Sequence, residues 1–392
     1  PELFPPADVS YACPDGDKLM LINYTSGSTG FSKGVMLPHR SLWSNMLFCR
    51  DRIAWLRAGD PLVSVLPMAH MYGLTIELFY PICVGCHITF LTRTPAPRVI
   101  MEAMSDIQPR LITTVPLVLE KIIRMRILPM MEKRLMRLLL RVPGIDHRLM
   151  ARVRSELVGA FGGNVRELIV GGAPLNREIE EFLARIRFPY ANVYGMTECG
   201  PFITYMSTRD SRVASCGRAV DRMELRIDSP DPVRIPGVLW VRGANLMEGY
   251  FKNPDATSAV MRDGWMSTGD ICTLDKDGFL YVRGRDKNMI LSANGQNIYP
   301  EEIESKLNNM PYVAESLVID ENNRLIALVY PDLDAARVQG LGQADLQAVM
   351  RDNIAALNQE LPRYSHIADV RIYQEEFEKT AKRSIKRYLY MR

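Results

Sequence analysis

The chain has 392 residues, 47% of them apolar and 24% charged, with a net charge of +3. That length supplies a large core and two or three domains, the composition is that of an ordinary soluble globular protein, and so small a net charge gives no reason to expect nucleic acid as a partner. Residues 1–20 lack the basic start and apolar stretch of a signal peptide, no run of about 18 uncharged apolar residues occurs, and seven scattered cysteines read as reduced thiols; the expectation is a cytoplasmic protein.

In chain order, "LMLINY" (19–24) reads as an apolar strand and "HRSLWSNMLFCRDRIAWL" (39–56) as a helix. Between them lies "TSGSTGFSKG" (25–34), rich in small hydroxyl residues and glycine, with one lysine. Small residues let consecutive backbone N–H groups approach a ligand, hydroxyls add donors and Lys33 adds a point charge, which suits a polyanion such as phosphate. The run is not a Walker A loop, because Ser32 rather than glycine precedes Lys33.

The runs 61–67, 87–91, 110–116, 165–172 and 190–195 read as strands separated by helical patterns, which predicts a parallel sheet covered on both faces. Ligands gather at the carboxyl ends of such strands. Residues 213–283 carry short strand-like runs with Gly, Pro and Asp turns and few helical windows, a β-rich module. Beyond Arg285 helix and strand signals mix again, as in a separate α+β domain. "CVGCH" (83–87) matches a haem-attachment spacing, but its apolar flanks fit small buried thiols beside a turn better. Residues 121–154 hold ten Lys/Arg against two acidic residues, which suits either a solvated helix face over the core, the favoured reading, or contact with an anionic membrane.

Four further segments add to the phosphate loop. "VGGAPL" (170–175) sets two glycines at a strand end, "VYGMTECG" (193–200) puts an aromatic ring, a hydroxyl and a carboxylate in one turn, "STGD" (267–270) ends in an aspartate, and "VRGRDKNMILSANGQNIYPEEIE" (282–304) carries an arginine at the domain boundary. Together they describe a site for a nucleoside triphosphate.

In this order and spacing the motifs resemble the adenylate-forming superfamily of acyl-CoA synthetases, luciferases and nonribosomal peptide adenylation domains, from about Leu19 to Arg387. "NYTSGSTGFSKGVMLPHRSLWSN", "VGGAPLN", "YGMTECGP" and "FEKT…IKRYLY" are most similar to long-chain fatty acid–CoA ligases. The resemblance implies an α/β fold: an N-terminal body (1–285) with parallel sheets, helices and the β-rich module, then a small mobile α+β lid (286–392). It implies ATP, magnesium and coenzyme A as reactants and cofactor, with a fatty acid as substrate. Thr25, Ser26, Gly27, Ser28, Thr29, Gly30 and Lys33 would wrap the β- and γ-phosphates. Gly171, Gly172, Ala173 and Pro174 would sandwich the adenine with the Tyr194 ring, beside Gly195 and Met196. Thr197 would touch the α-phosphate, Glu198 hold magnesium, and Asp270 and Arg285 bind the ribose. His70, in "PMAHMYG" (67–73), would lie near the substrate carboxylate or simply start a helix. Lys287 would be the lid hinge, and Gly295 would line the pantetheine tunnel. The Met-, Leu- and Ile-rich stretch 68–79 is compatible with an acyl tunnel and equally with a core.

Two departures qualify the resemblance. The family's C-terminal adenylation lysine is replaced by Ser384, and Lys382 is the favoured substitute over Lys386. Family members also carry a large segment before the phosphate loop, whereas 24 residues precede Thr25 here, so the expectation is a body short of one subdomain. Rival readings are a ligase for another carboxylic acid or a carrier-protein thiol, and a non-catalytic acyl- or nucleotide-binding protein.

Overall fold

The structure, a computed structural model, describes residues 15–25, 32–92, 96–131, 145–292, 296–379 and 385–391. Leu19–Thr25 forms the expected strand, but the chain does not pass from the loop directly into a helix. Lys33–Pro38 returns antiparallel to it, with Thr25 opposite Lys33, and buries Val35 and Leu37 fully in the core. The helix follows at His39–Arg52 and buries Leu42, Met46, Phe48 and Cys49.

The five expected strands are present at Pro61–Ser64, His87–Phe90, Leu111–Thr114, Glu167–Val170 and Tyr190–Gly195. They divide between two sheets rather than forming one. The first two make a parallel pair. The other three run parallel in a sheet completed by Phe202–Met206, antiparallel to them, and Arg218–Ala219, which pairs antiparallel with Phe202–Met206. The change of direction follows from the connection: the turn 196–201 is too short for a crossover, so the next strand can only run back.

Helices cover this sheet, and the basic stretch supplies two of them. In Pro116–Arg126 and Ile145–Ala160 the residues Leu119, Ile122, Ile123, Val153 and Leu157 are buried in the body core. That is the behaviour of a solvated face over a core; residues 132–144 lie outside the described residues. No described helix is long and apolar enough to cross a membrane. The thiols of "CVGCH" depart from expectation. Cys83 is exposed and Cys86 half-buried, because the helix Tyr80–Val84 ends at left-handed Gly85 on the surface. Among the described residues no group of three His, Cys, Asp or Glu side chains is placed to hold a metal.

The β-rich module is an antiparallel sheet of Met223–Asp228, Gly237–Gly243, Met261–Arg262, Trp265–Leu274 and Leu280–Arg285, with the helix Pro254–Val260 set into it. Its short strand Gly249–Tyr250 pairs elsewhere, with Lys33–Pro38, and so joins the module to the hairpin of Leu19–Thr25 and Lys33–Pro38. Beyond it, Val313–Glu321 and Arg324–Pro331 pair antiparallel and Ile367–Ile372 adds in parallel. Pro300–Leu307 and Gln343–Glu360 share a core with these strands, the mark of a self-contained unit. The C-terminal tail is tied to it by Arg387, which bonds Glu304 at 2.8 Å and the Val318 carbonyl at 3.0 Å.

The helix Arg177–Arg185 carries one buried carboxylate, Glu180, which accepts from the Ala214 N–H at 2.7 Å and the Tyr190 hydroxyl at 3.4 Å. Burial pushes it up to about 7, against those bonds. A carboxyl that holds its proton more tightly when folded stabilises the fold fully below its unfolded value, near 4.5, and loses that contribution as pH rises through 7. Glu180→Gln, neutral throughout, should therefore gain on the wild type between pH 5 and 8, by up to about 3 kcal/mol, measured as thermal stability of both proteins at the two pH values.

Candidate active site

The hairpin expected to bind phosphate brings Thr25 and Lys33 side by side, with the Thr25 hydroxyl 3.5 Å from the Lys33 carbonyl. Ser26, Gly27, Ser28, Thr29 and Gly30 lie outside the described residues. Pairing of Gly249–Tyr250 onto the hairpin puts the Tyr250 ring under the Lys33 ammonium, 4.7 Å from Nζ to centroid, a cation–π distance. The Tyr250 hydroxyl donates to Glu198 Oε1 at 2.9 Å. Burial, and then the Glu198 charge, push the phenol well up, so it remains a donor. One ring thus links the phosphate-side cation to the carboxylate expected to hold magnesium. Tyr250 was not legible in the sequence: "EGYF" carries no signal, and only the strand pairing assigns it a place.

Glu198 sits in the short turn Thr197–Cys199, where Thr197, Glu198 and Cys199 are all buried. The turn is held from outside. The Asn45 amide donates to the Cys199 carbonyl at 3.1 Å and accepts from the Phe202 N–H at 3.1 Å, Thr75 donates to the Gly200 carbonyl at 3.3 Å, and Asn245 donates to the Phe202 carbonyl at 2.8 Å. The Met247 N–H donates to the Glu198 carbonyl at 2.9 Å. A single carboxylate fits magnesium, which takes one or two protein oxygens and completes its shell with phosphates and water.

Asp270 and Arg285, expected to meet the ribose, face each other across the strands Trp265–Leu274 and Leu280–Arg285. Arg285 Nε lies 2.7 Å from Asp270 Oδ1, and the Tyr194 hydroxyl donates to Oδ2 at 2.5 Å. Burial raises the Asp270 carboxyl, while Arg285 and Tyr194 pull it down. The three residues expected to share the nucleoside are bonded to one another. A carboxylate has about four acceptor positions, so these two bonds leave room for hydroxyls. Lys287 follows in the turn Asp286–Asn288, its ammonium pushed down by burial and by Arg285.

The strand Glu167–Val170 ends at Gly171, whose N–H donates to the Thr114 carbonyl at 3.2 Å. A Cβ there would come within 2.5 Å of Val193 Cγ2 and 3.3 Å of the Tyr72 ring, so only glycine lets the turn lie so close to its neighbours. Gly172, Ala173 and Pro174 are exposed beyond it. On the next strand Tyr194 is half-buried and Gly195 exposed, with Met196 leading into the turn. His70 precedes the short helix Met71–Gly73, at its N-cap, half-buried. Met71 and Ile76 are core residues, so part of the 68–79 stretch serves packing.

Lys382, Ser384 and Gly295 lie outside the described residues. Lys386 pairs with Glu378 at 3.1 Å. An antiparallel bridge joins Lys379 to Ile385. A cavity of about 730 Å³ between Trp55, Glu167 and Arg209 shares no residue with these motifs; it lies at the opposite ends of the strands.

The family model of AMP-binding enzymes matches residues 4–251, and that of the AMP-binding enzyme C-terminal domain matches residues 287–392. The chain is 31% identical over 315 residues to a long-chain-fatty-acid–CoA ligase of Yersinia pestis, covering 78% of this chain and 50% of that one. It is 32% identical over 325 residues to 4-coumarate–CoA ligase 1 of Oryza sativa subsp. japonica, covering 78% and 51%. The chain spans about half the length of the curated relatives it matches. Among solved structures, ATP-bound MatB of Rhodopseudomonas palustris superposes with a TM-score of 0.74 at 26% identity, over 96% of this chain and 68% of that one.

The turn makes a prediction of its own. Gly200 has φ +59, and a Cβ on it would approach Ser41 Oγ to 2.5 Å. Left-handed backbone alone costs a non-glycine residue about 1–2 kcal/mol. Gly200→Ala should lower the melting temperature by several degrees and weaken AMP binding, read by thermal denaturation with and without AMP.

Proposed function

The chain belongs to the AMP-binding enzyme family, and from that premise we propose that it joins a carboxylic acid to coenzyme A with ATP, by way of an acyl-adenylate. The observation that carries the reading is the convergence of Lys33, Tyr250 and Glu198 with Tyr194, Asp270 and Arg285 around one turn, 194–200. A carboxylate resists attack by a thiol because of its charge, so an oxygen must first become part of a leaving group. In the first step a carboxylate oxygen attacks the α-phosphorus and pyrophosphate leaves. In the second the sulfur of coenzyme A attacks the acyl carbon, the acyl–phosphate bond breaks, AMP leaves and the thiol proton passes to solvent.

Lys33, Thr25 and the hairpin loop 26–30 neutralise and bind the β- and γ-phosphates, and Thr197 meets the α-phosphate. Asp270 and Arg285 take the ribose hydroxyls, while the Tyr194 ring and the 171–174 backbone flank the adenine. When bound at Glu198, magnesium supplies positive charge against the phosphate oxygens. His70 stands on the acid side. Residues 286–392 act as a lid that turns about Lys287 between the two steps, bringing Gly295 to the pantetheine path. For the acid we favour a long-chain fatty acid, on the motif likeness and the Yersinia pestis relative. An aryl acid is the second reading, since a 4-coumarate ligase is 32% identical against 31% for the fatty-acid ligase.

Incubation with ATP, magnesium, coenzyme A and a panel of fatty acids of graded length and aryl acids tests the reading; AMP and an acyl-CoA are the expected products, and their absence with every acid would reject it. In ATP–pyrophosphate exchange, Lys33→Ala and Glu198→Ala should each lose about ten- to a thousandfold. Wild-type rates in both variants would remove these residues from the chemistry.

The lid lysine is open to a separate test. The Glu378 pair favours Lys382 over Lys386 as the group that replaces the cation missing at Ser384. Lys382→Ala should cripple acyl-adenylate formation yet spare thioester formation from supplied acyl-adenylate. Full adenylation activity would rule Lys382 out.

A further inference from the structure

One buried carboxylate takes no part in the proposed reaction. Glu77 lies in the π-helical turn Leu74–Phe79. Its Oε2 accepts from Ser64 Oγ at 3.0 Å and from the N–H groups of Val65 and Leu66 at 3.0 and 2.9 Å, and its Oε1 accepts from Thr113 Oγ1. Ser64 and Thr113 lie at the carboxyl ends of strands in different sheets. A single side chain therefore ties two strand ends together and fixes the first residues of the segment that leaves one of them.

That segment, 65–73, is held at two further points. Asn23, two residues before Thr25 on the phosphate hairpin, donates to the Ala69 carbonyl at 3.0 Å. Tyr72 donates to the Ile169 carbonyl at 3.1 Å and packs its ring beside Gly171. His70 lies between these points. The segment thus touches the phosphate side and the adenine side of the site, with Glu77 at its root.

The geometry points to Glu77 as a positioning residue, whose carboxyl group clamps the 65–73 segment so that His70 and Tyr72 keep their places between the phosphate hairpin and the adenine turn. The inference rests on the reading of this site as an adenylating centre. What it requires of Glu77 is acceptor geometry rather than charge. The groups facing it are the hydroxyls of Ser64 and Thr113, the phenol of Tyr72 and two backbone N–H groups, and no charged side chain forms an ion pair with it among the described residues. Burial pushes the carboxyl up to about 7 despite the hydrogen bonds. A proton on Oε1 would be donated to Thr113 Oγ1, which accepts as readily as it donates, while Oε2 keeps its three donors. A glutamine reproduces that pattern, with its carbonyl toward Ser64, Val65 and Leu66 and its amide toward Thr113.

The experiment compares Glu77→Gln, Glu77→Leu and Thr113→Val. The readouts are hydrogen exchange of the Val65 and Leu66 amides, the KM for the acid and for ATP, and kcat. Glu77→Gln should stay within about threefold of wild type in every measure. Glu77→Leu leaves buried N–H groups unpaired; it should speed exchange at both amides at least about tenfold and raise the KM for the acid more than that for ATP. Should the leucine variant not fold, Thr113→Val, which removes one donor, carries the same expectations on a smaller scale. The inference is overturned if glutamine is as damaging as leucine, or if folded leucine or valine variants leave exchange and kinetics unchanged. A wild type that turns over no acid rejects the proposed reaction, and amide exchange then still decides whether Glu77 is the anchor.

Discussion

The turn from Met196 to Phe202 is the constraint on which the rest of the site depends. It reverses the chain at the edge of three parallel strands, where backbone groups facing inward have no ladder partner. Asn45 resolves the conflict from a helix about 150 residues earlier in the chain, accepting one N–H and donating to one carbonyl. Thr75 and Asn245 satisfy two more carbonyls. With its backbone fixed, the turn can carry Thr197 and Glu198 in buried positions while Tyr194, just before it, reaches Asp270.

Two aromatic residues then extend this fixed turn in opposite directions. Tyr250 links Glu198 to Lys33 on the phosphate hairpin, and Tyr194 links the strand to Asp270 and Arg285 in the β-rich sheet. Both phenols are kept protonated by burial and by the neighbouring carboxylate, so each acts as a donor that fixes an acid in place. Such preorganised donors need not reorient when charge develops on a ligand, the condition under which electrostatic stabilisation is most effective.

The junction at Asp286–Asn288 shows how a second unit can be joined without being fused. Asp270 and Arg285 belong to the body's last two long strands, and the turn Asp286–Asn288 follows directly. Asn288 donates to Glu301 at 2.5 Å, on the first helix of the following unit, while that unit keeps its own core. A few polar contacts across a short turn are cheaper to rearrange than a shared apolar core, which suits the lid movement proposed for this unit.

The sequence by itself determined the order of strands and helices, the β-rich module, the separate α+β unit and the motif positions, since each depends on local periodicity or on a short run such as "TSGSTG" or "YGMTECG". It could not determine what depends on contacts distant along the chain. The hairpin strand Lys33–Pro38 was hidden in part because one of its two partner strands, Gly249–Tyr250, lies more than 200 residues away. The reversal of Phe202–Met206 against the three parallel strands followed from a turn too short to cross over. Tyr250, Asn45, Asn245 and Glu77 carry no local signal, because a hydrogen-bond partner supplied from another element leaves no trace in the spacing of its neighbours. Their roles exist only once tertiary packing has brought those elements together and removed the water that would otherwise have satisfied them.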